Sequence, residues 1–244
     1  MFIRGQKLTF CLFYAIIWPV LRKGVLEMND IEVDALVNKE NRLSYKYVPS
    51  YLVSVDNNEH NFHEYANPHM KPLISSVIYM PFVDLEYASI KDGLHITVDS
   101  GYRSYGEQVG IFRHQYAKAM LQLLSSRVPL KDINRLAFEQ TAQKVAIPGC
   151  SEHQTGYAFD IGCYRNGEYQ LETTEEEQEW MRENAYKYGF ILRYPKGKEE
   201  ITGIMYEPWH YRYVGEELAN DLYNNGDWIT LEEYHEGMKL KRTI

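Results

Sequence analysis

SEHQTGYAFDIGCYRNGEYQLE, residues 151–172, decides how this chain must fold. Its middle, AFDIGC (158–163), reads as a buried strand. Asn166-Gly167 is a strong hairpin signal, and EYQLE continues from it as a returning strand. Working outward, Pro148 and Gly149 break whatever precedes this segment. Upstream, HITVDS (95–100) has the β-branched residues and alternation of a strand. Ser104 with Glu107 forms a capping-box pattern, and Val109, Phe112, Tyr116, Met120 and Leu123 follow at helical spacing, which predicts a helix over about 105–125. A second helix is expected over 132–145, opened by Asp132. Downstream, Thr174 with Glu177 opens a helix to about Tyr188, and Gly189 stands in the stop position. FILRYP (190–195) and HYRYVG (210–215) read as strands, and Thr230 with Glu233 caps a last short helix. Strands return through hairpins while helices gather in runs. The expected fold class is therefore α+β, with a mainly antiparallel central sheet flanked by helices.

Chemistry concentrates in two segments, SEHQTGYAFD (151–160) and EPWHYR (207–212). Zinc prefers nitrogen, oxygen or sulfur donors, and a catalytic zinc site uses three protein ligands and keeps one position open. His153, Asp160 and His210 are the candidate ligands for one Zn²⁺ ion. A single carboxylate against a divalent cation leaves the site net positive, which acidifies water near neutral pH. Glu207 is the candidate general base that takes the proton and passes it on to a leaving amine. On a regular strand Asp160 shares a face with Ala158, while Phe159 and Ile161 point the other way. Glu207 and His210 are three apart and would face opposite sides of a strand. Pro208 argues against a strand there, so an irregular turn must bring both toward the metal. His60, His63, His69, His95, His114 and His235 read as structural residues; His60 and His63 lack a third ligand at a recognisable spacing.

Composition sets further bounds. The 244 residues suit one domain with extra segments, or two small ones, and the 45% hydrophobic content is ordinary for a packed core. Net charge is −8; without residues 1–27 the remainder holds 22 Lys/Arg against 33 Asp/Glu, a net of −11. So acidic a body is a poor partner for nucleic acid or for an anionic lipid surface. The three cysteines, Cys11, Cys150 and Cys163, form no CxxC pair and no disulfide framework.

Residues 8–21, LTFCLFYAIIWPVL, are fourteen uncharged residues flanked by Arg4 and Lys7 before and Arg22 and Lys23 after. That length suits the core of a secretory signal and falls short of the roughly 17–25 residues of a membrane span. No clean cleavage site follows. Three readings stay open: a signal that also anchors, a cleaved signal, or translation from Met28 with a cytoplasmic product. The expected organisation is an apolar signal or anchor over 1–28, a linker and leading arm over 29–45, the chemical domain over 46–235 and a tail over 236–244.

SxHxxGxAxD followed by ExWH resembles the signature of the VanY-type D-alanyl-D-alanine carboxypeptidases, zinc peptidases that share a fold with the hedgehog signalling domain. SEHQTGYAFD and EPWH match it at every defined position. SGYRSYGEQ (100–108), LVNKENRL (36–43) and FILRYPKGKEEITGIMYEPWHYRYVG (190–215) extend the resemblance to about residues 36–235. It implies the three ligands already named, Glu207 as base, and Arg103 engaging the substrate. Arginine suits that role, because its fork of N–H donors matches a terminal carboxylate. Ser151 and Gln108 are further substrate-binding candidates; Tyr102 and Trp209 read as packing residues. The implied activity is removal of the C-terminal D-Ala from peptidoglycan stem peptides by a monomer outside the cytoplasm. Alternatives are an L,D-carboxypeptidase acting on tetrapeptides, a stem-peptide endopeptidase, or a non-catalytic zinc-containing wall-binding module. The SxxK and KTG motifs of serine-type penicillin-binding enzymes are absent.

Overall fold

The computed structural model describes residues 30–55, 72–224 and 226–243. The apolar run 8–21 and His60, His63 and His69 lie outside them. The body of the protein is Ile31–Ile244. Its main sheet has five strands: β3 (Ile96–Ser100), β4 (Ala158–Arg165), β7 (His210–Tyr213) and β6 (Phe190–Leu192) in that order, with β5 (Glu168–Gln170) paired to the far end of β4. Every pairing in it is antiparallel. A separate two-stranded sheet joins β1 (Leu52–Ser54) to β2 (Leu73–Ser75). The α+β expectation holds, and Asn166 at φ 53 with Gly167 at φ 81 makes the hairpin turn between β4 and β5.

Helix α2 (Tyr105–Leu124) begins at Ser104 with both halves of the capping box formed. Helix α3 (Leu130–Lys144) starts two residues before the expected point. Pro129 precedes it and no side chain caps it, so Asp132 stands in the first turn and not at the cap. Helix α4 (Glu175–Asn184) opens on Thr174 with a second complete capping box and runs through a 3₁₀ turn, Ala185–Tyr188, to Gly189 at φ 84. Short helices α5 (Glu199–Thr202) and α6 (Glu216–Leu222) follow, and α7 (Leu231–Thr243) ends the described chain. Among the described residues no helix is long and apolar enough to cross a membrane.

Helix α1 (Ser76–Lys91) was hidden in the sequence by Pro81 at its sixth position. Proline inside a helix removes a backbone hydrogen bond and normally marks a break. Here Ile78, Phe82 and Leu85, spaced four and three apart, are fully buried and hold the helix on the sheet. Phe82 meets the ring of Phe159 from β4 at 5.4 Å between centroids, and Phe159 meets Phe190 from β6 at 5.1 Å. This aromatic stack lies on the inner face of the sheet, opposite the face that Asp160 uses. The arm preceding β1 packs as well: Ile31, Val33 and Leu36 lie against the core and Val37 is buried. Cys150 and Cys163 are free, buried thiols.

One carboxyl is buried behind the core helix. Burial pushes Glu86 on α1 up to about 7, against a smaller opposing hydrogen bond from Thr97, and His95 Nε2 lies 4.0 Å away. Between the ordinary value of 4.5 and about 7 the folded protein keeps a proton that the unfolded chain has lost. Stability therefore falls as pH rises through that window. Glu86→Gln stays neutral throughout. Its unfolding free energy, measured in urea, should gain about 2 kcal/mol on the parent between pH 5 and pH 8; a constant difference would refute the assignment.

Candidate active site

Strand β4 carries Asp160 between two neighbours: Ser100 of β3 lies opposite it on one side and His210 of β7 on the other. His210 enters β7 from a tight turn. Its N–H donates to the Glu207 carbonyl at 3.2 Å, with Pro208 and Trp209 at the corners. This is the irregular turn the sequence required, and it leaves both Glu207 and His210 lining one cleft. His153 comes from a single 3₁₀ turn, Glu152–Thr155, closed by Gly156 at φ 72. A side chain at 156 would be strained in that left-handed conformation and would press on the Ser75 nitrogen at 3.2 Å.

The imidazole of His153 is fixed from behind. Its Nδ1 donates to the Gly101 carbonyl at 2.7 Å, which leaves Nε2 facing Asp160 Oδ2 at 3.3 Å. Gly101 itself must be glycine, because a Cβ there would run into the Leu73 carbonyl. On the other side His210 Nδ1 lies 2.9 Å from Asp160 Oδ1. One donor atom each from His153, Asp160 and His210 lies within 4.8 Å of the others. Tetrahedral zinc with bonds of about 2.0–2.1 Å has ligand–ligand edges of about 3.3 Å. Two nitrogens and one carboxylate at these spacings therefore fit that ion. His235, by contrast, does not line the cleft and bonds the Asp34 carbonyl through Nε2 at 2.7 Å, as a structural histidine would.

Electrostatics suit the same use. Burial lowers the His153 imidazole, and Arg103 adds to this while Asp160 opposes it. Burial alone would raise Asp160, but His153 and His210 together draw it well below the usual carboxylate range. Burial lowers His210, yet Asp160 and Glu152 at its two nitrogens outweigh that and raise it to about 9. Burial pushes Glu207 up to about 7, where a carboxylate can both accept and return a proton near neutrality.

The cleft encloses about 200 Å³ and is lined by Arg103, Gln108, Ser151, Glu207 and the three donors, with Lys144, Ile204 and Trp209 on its walls. Arg103 is tied down at two points. It donates from Nη1 to Gln108 Oε1 and from Nη2 to Ser100 Oγ, both at 3.0 Å. Gln108 in turn donates to the Ala146 carbonyl at 2.6 Å, so it stands behind Arg103 as a brace. Trp209 departs from its expected packing role: it is 39% exposed on the cleft wall, while its carbonyl accepts the Ile161 N–H. Tyr102 is half-buried, its N–H donating to the Leu73 carbonyl.

Glu152, Arg193 and Arg212 were missed from sequence. Arg193 donates to Glu152 Oε1 at 2.8 Å, Arg212 Nη1 lies 3.2 Å from the same oxygen, and Glu232 of α7 clamps Arg193 at 2.7 and 2.8 Å. Arginines inside FILRYP and HYRYVG, strands otherwise apolar or aromatic, were the signal available.

Comparison with known proteins shows the family and the fold. Residues 72–216, more than half of the chain, match the family described as VanY, D-alanyl-D-alanine carboxypeptidase. The Bacillus subtilis protein YodJ is 39% identical over 214 residues, 86% of this chain and 70% of that protein. A D-alanyl-D-alanine carboxypeptidase of Enterococcus faecalis is 41% identical over 62% of this chain, which spans about half (51%) of that relative. Among solved structures, VanYB in complex with D-alanine-D-alanine superposes with a TM-score of 0.67 at 34% identity, covering 84% of this chain and 97% of that one. A VanY from a VanB-type vancomycin-resistance cassette, solved with Zn(II), gives 0.66 at 34% identity over 83% and 98%. The LD-carboxypeptidase LdcB gives 0.65 at 37% identity over 84% and 86%.

A metal must displace the proton that His210 holds below about 9. Zinc affinity, measured by chelator competition, should weaken by up to about tenfold per pH unit from pH 8 to pH 6. An affinity that does not change with pH would mean His210 is not a ligand.

Proposed function

Because the chain belongs to the VanY family of D-alanyl-D-alanine carboxypeptidases and is a zinc metallopeptidase, we propose that it removes the terminal D-Ala from peptidoglycan stem peptides. The observation that carries this reading is one cleft holding the His153–Asp160–His210 donor set, the raised carboxyl of Glu207 and the braced guanidinium of Arg103. His153 Nε2, Asp160 and His210 Nδ1 would hold the ion. Zinc, when bound, supplies a Lewis acid that polarises the scissile carbonyl and acidifies water. Glu207 takes the proton from the attacking water and delivers it to the departing amine. Arg103 grips the free carboxylate of the substrate, and Gln108 holds Arg103 in place. Ser151, buried on the cleft wall, borders the same pocket. We take the enzyme to act as a monomer.

On this reading the enzyme works on the outer side of the cytoplasmic membrane, where mature stem peptides lie. Residues 1–28 then serve as export signal or membrane anchor, 29–45 form an arm that leads into the peptidase domain of 46–235 and packs on its core, and 236–244 form a tail that continues α7.

The likeness to LdcB favours one second reading, an L,D-carboxypeptidase acting on tetrapeptides. Incubation with penta- and tetrapeptide followed by product mass analysis separates the two. Loss of D-Ala from pentapeptide alone supports the first reading, and cleavage of tetrapeptide alone replaces it with the second.

Glu207→Ala should lower kcat by about 10²–10⁴-fold while one zinc per chain is retained; undiminished turnover ends its role as base. Arg103→Ala should cost about 10–100-fold in kcat/KM on a peptide with a free C-terminus, and much less on its amide. Equal losses on both peptides would show that Arg103 does not read the carboxylate.

A further inference from the structure

His210 has two ring nitrogens, and the site described so far uses one. Nδ1 faces Asp160, while Nε2 points into the protein, buried and without a hydrogen-bond partner among the described residues. The polar atom facing it is Glu152 Oε2 at 3.9 Å, which is itself buried and without a hydrogen-bond partner. The other oxygen of Glu152 is engaged: Arg193 Nε donates to Oε1 at 2.8 Å, and Arg212 Nη1 lies 3.2 Å from it as an ion pair. Two guanidiniums thus fix the carboxylate by one oxygen and aim the second at the back of the imidazole.

We propose that Glu152 is a positioning residue for the metal ligand His210: it accepts the Nε2 proton, which commits the ring to presenting a bare Nδ1 to the ion. This rests on the zinc-site reading above. A ligating imidazole needs one nitrogen free of its proton, and a carboxylate behind the other nitrogen sets the tautomer and the ring angle. His153 obtains the opposite tautomer from the Gly101 carbonyl behind its Nδ1. The short turn Glu152–Thr155 therefore carries one ligand and, beside it, the group that orients another.

The alternative is a purely structural role. Buried ion pairs hold folds together, and Arg193 links Glu152 to Glu232 on α7. Two substitutions separate the roles. In Glu152→Gln the amide oxygen stays with the arginines, so the NH₂ group faces the Nε2 proton, donor against donor. Glu232→Gln weakens the same network at its far end without facing His210. Zinc affinity by chelator competition should fall about 10–100-fold in Glu152→Gln and stay within about threefold of the parent in Glu232→Gln, although both metal-free proteins lose thermal stability. Parental affinity in Glu152→Gln, or an equal loss in Glu232→Gln, overturns the proposal. A measurement on the unsubstituted protein stands beside these in case Glu152→Gln does not fold. Long-range ¹H–¹⁵N spectra of the zinc-loaded protein should show a protected Nε2–H on His210 and an Nδ1–H on His153. An unprotected, rapidly exchanging Nε2–H on His210 overturns the proposal. A parent protein that takes up no zinc would instead overturn the metal site itself.

Discussion

The register of β4 between β3 and β7 is the constraint on which the site depends. It sets Asp160 opposite His210 on one side and Ser100 on the other. Ser100 then holds Arg103, so a single strand position aligns a metal donor from β7 with the carboxylate-binding guanidinium that follows β3. Side chains alternate along a strand with period two. A slip of one residue would turn Asp160 into the core and expose Phe159 or Ile161 in its place. The aromatic stack of Phe82, Phe159 and Phe190 resists that slip, because its three rings come from α1, β4 and β6 and cannot be rebuilt one residue out of step. Core packing and metal geometry are therefore two faces of the same strand.

Buried charge is the second feature that organises the molecule. Glu152 and Arg193 have no exposed side-chain surface, and Arg212 is equally enclosed. Moving such ions out of water costs several kcal/mol each, which close pairing must offset. The pairing draws in distant parts of the chain: Glu232 from α7 on Arg193, the Val33 and Ala35 carbonyls on Arg212, and Asn38 on Glu232. The arm before β1 and the last helix are thereby fastened to the layer directly behind the metal donors. A metallopeptidase needs its ligands held still while substrate comes and goes, and a network anchored at both ends of the body supplies that rigidity.

The local rules were legible in the chain. All three capping boxes formed where Ser104–Glu107, Thr174–Glu177 and Thr230–Glu233 announced them, because a cap involves residues three apart and needs nothing from elsewhere. The Asn166-Gly167 turn followed from its own backbone preferences, and the turn at Pro208 from the ban on a regular strand through proline. His153, Asp160, Glu207 and His210 stood out because side chains of those types in such close motifs suit metal chemistry.

What the sequence could not reveal depends on partners far away along the chain. Helix α1 survives Pro81 only because Ile78, Phe82 and Leu85 are buried on the sheet, a gain that no local propensity contains. Gln108 turns out to brace Arg103 because Ala146, thirty-eight residues on, takes its amide. Trp209 opens onto the cleft because its backbone, not its ring, is what β4 requires. Arg193, just past β6, and Arg212 in β7 show no local reason to be buried; that reason appears only where Glu152, more than forty residues earlier, meets both. The sequence by itself determined which residues can do chemistry and where helices and turns begin, since those follow from covalent neighbours. Only the tertiary structure decided which nitrogen, which oxygen and which face each of them presents, since that is set by packing between segments that the chain alone does not order.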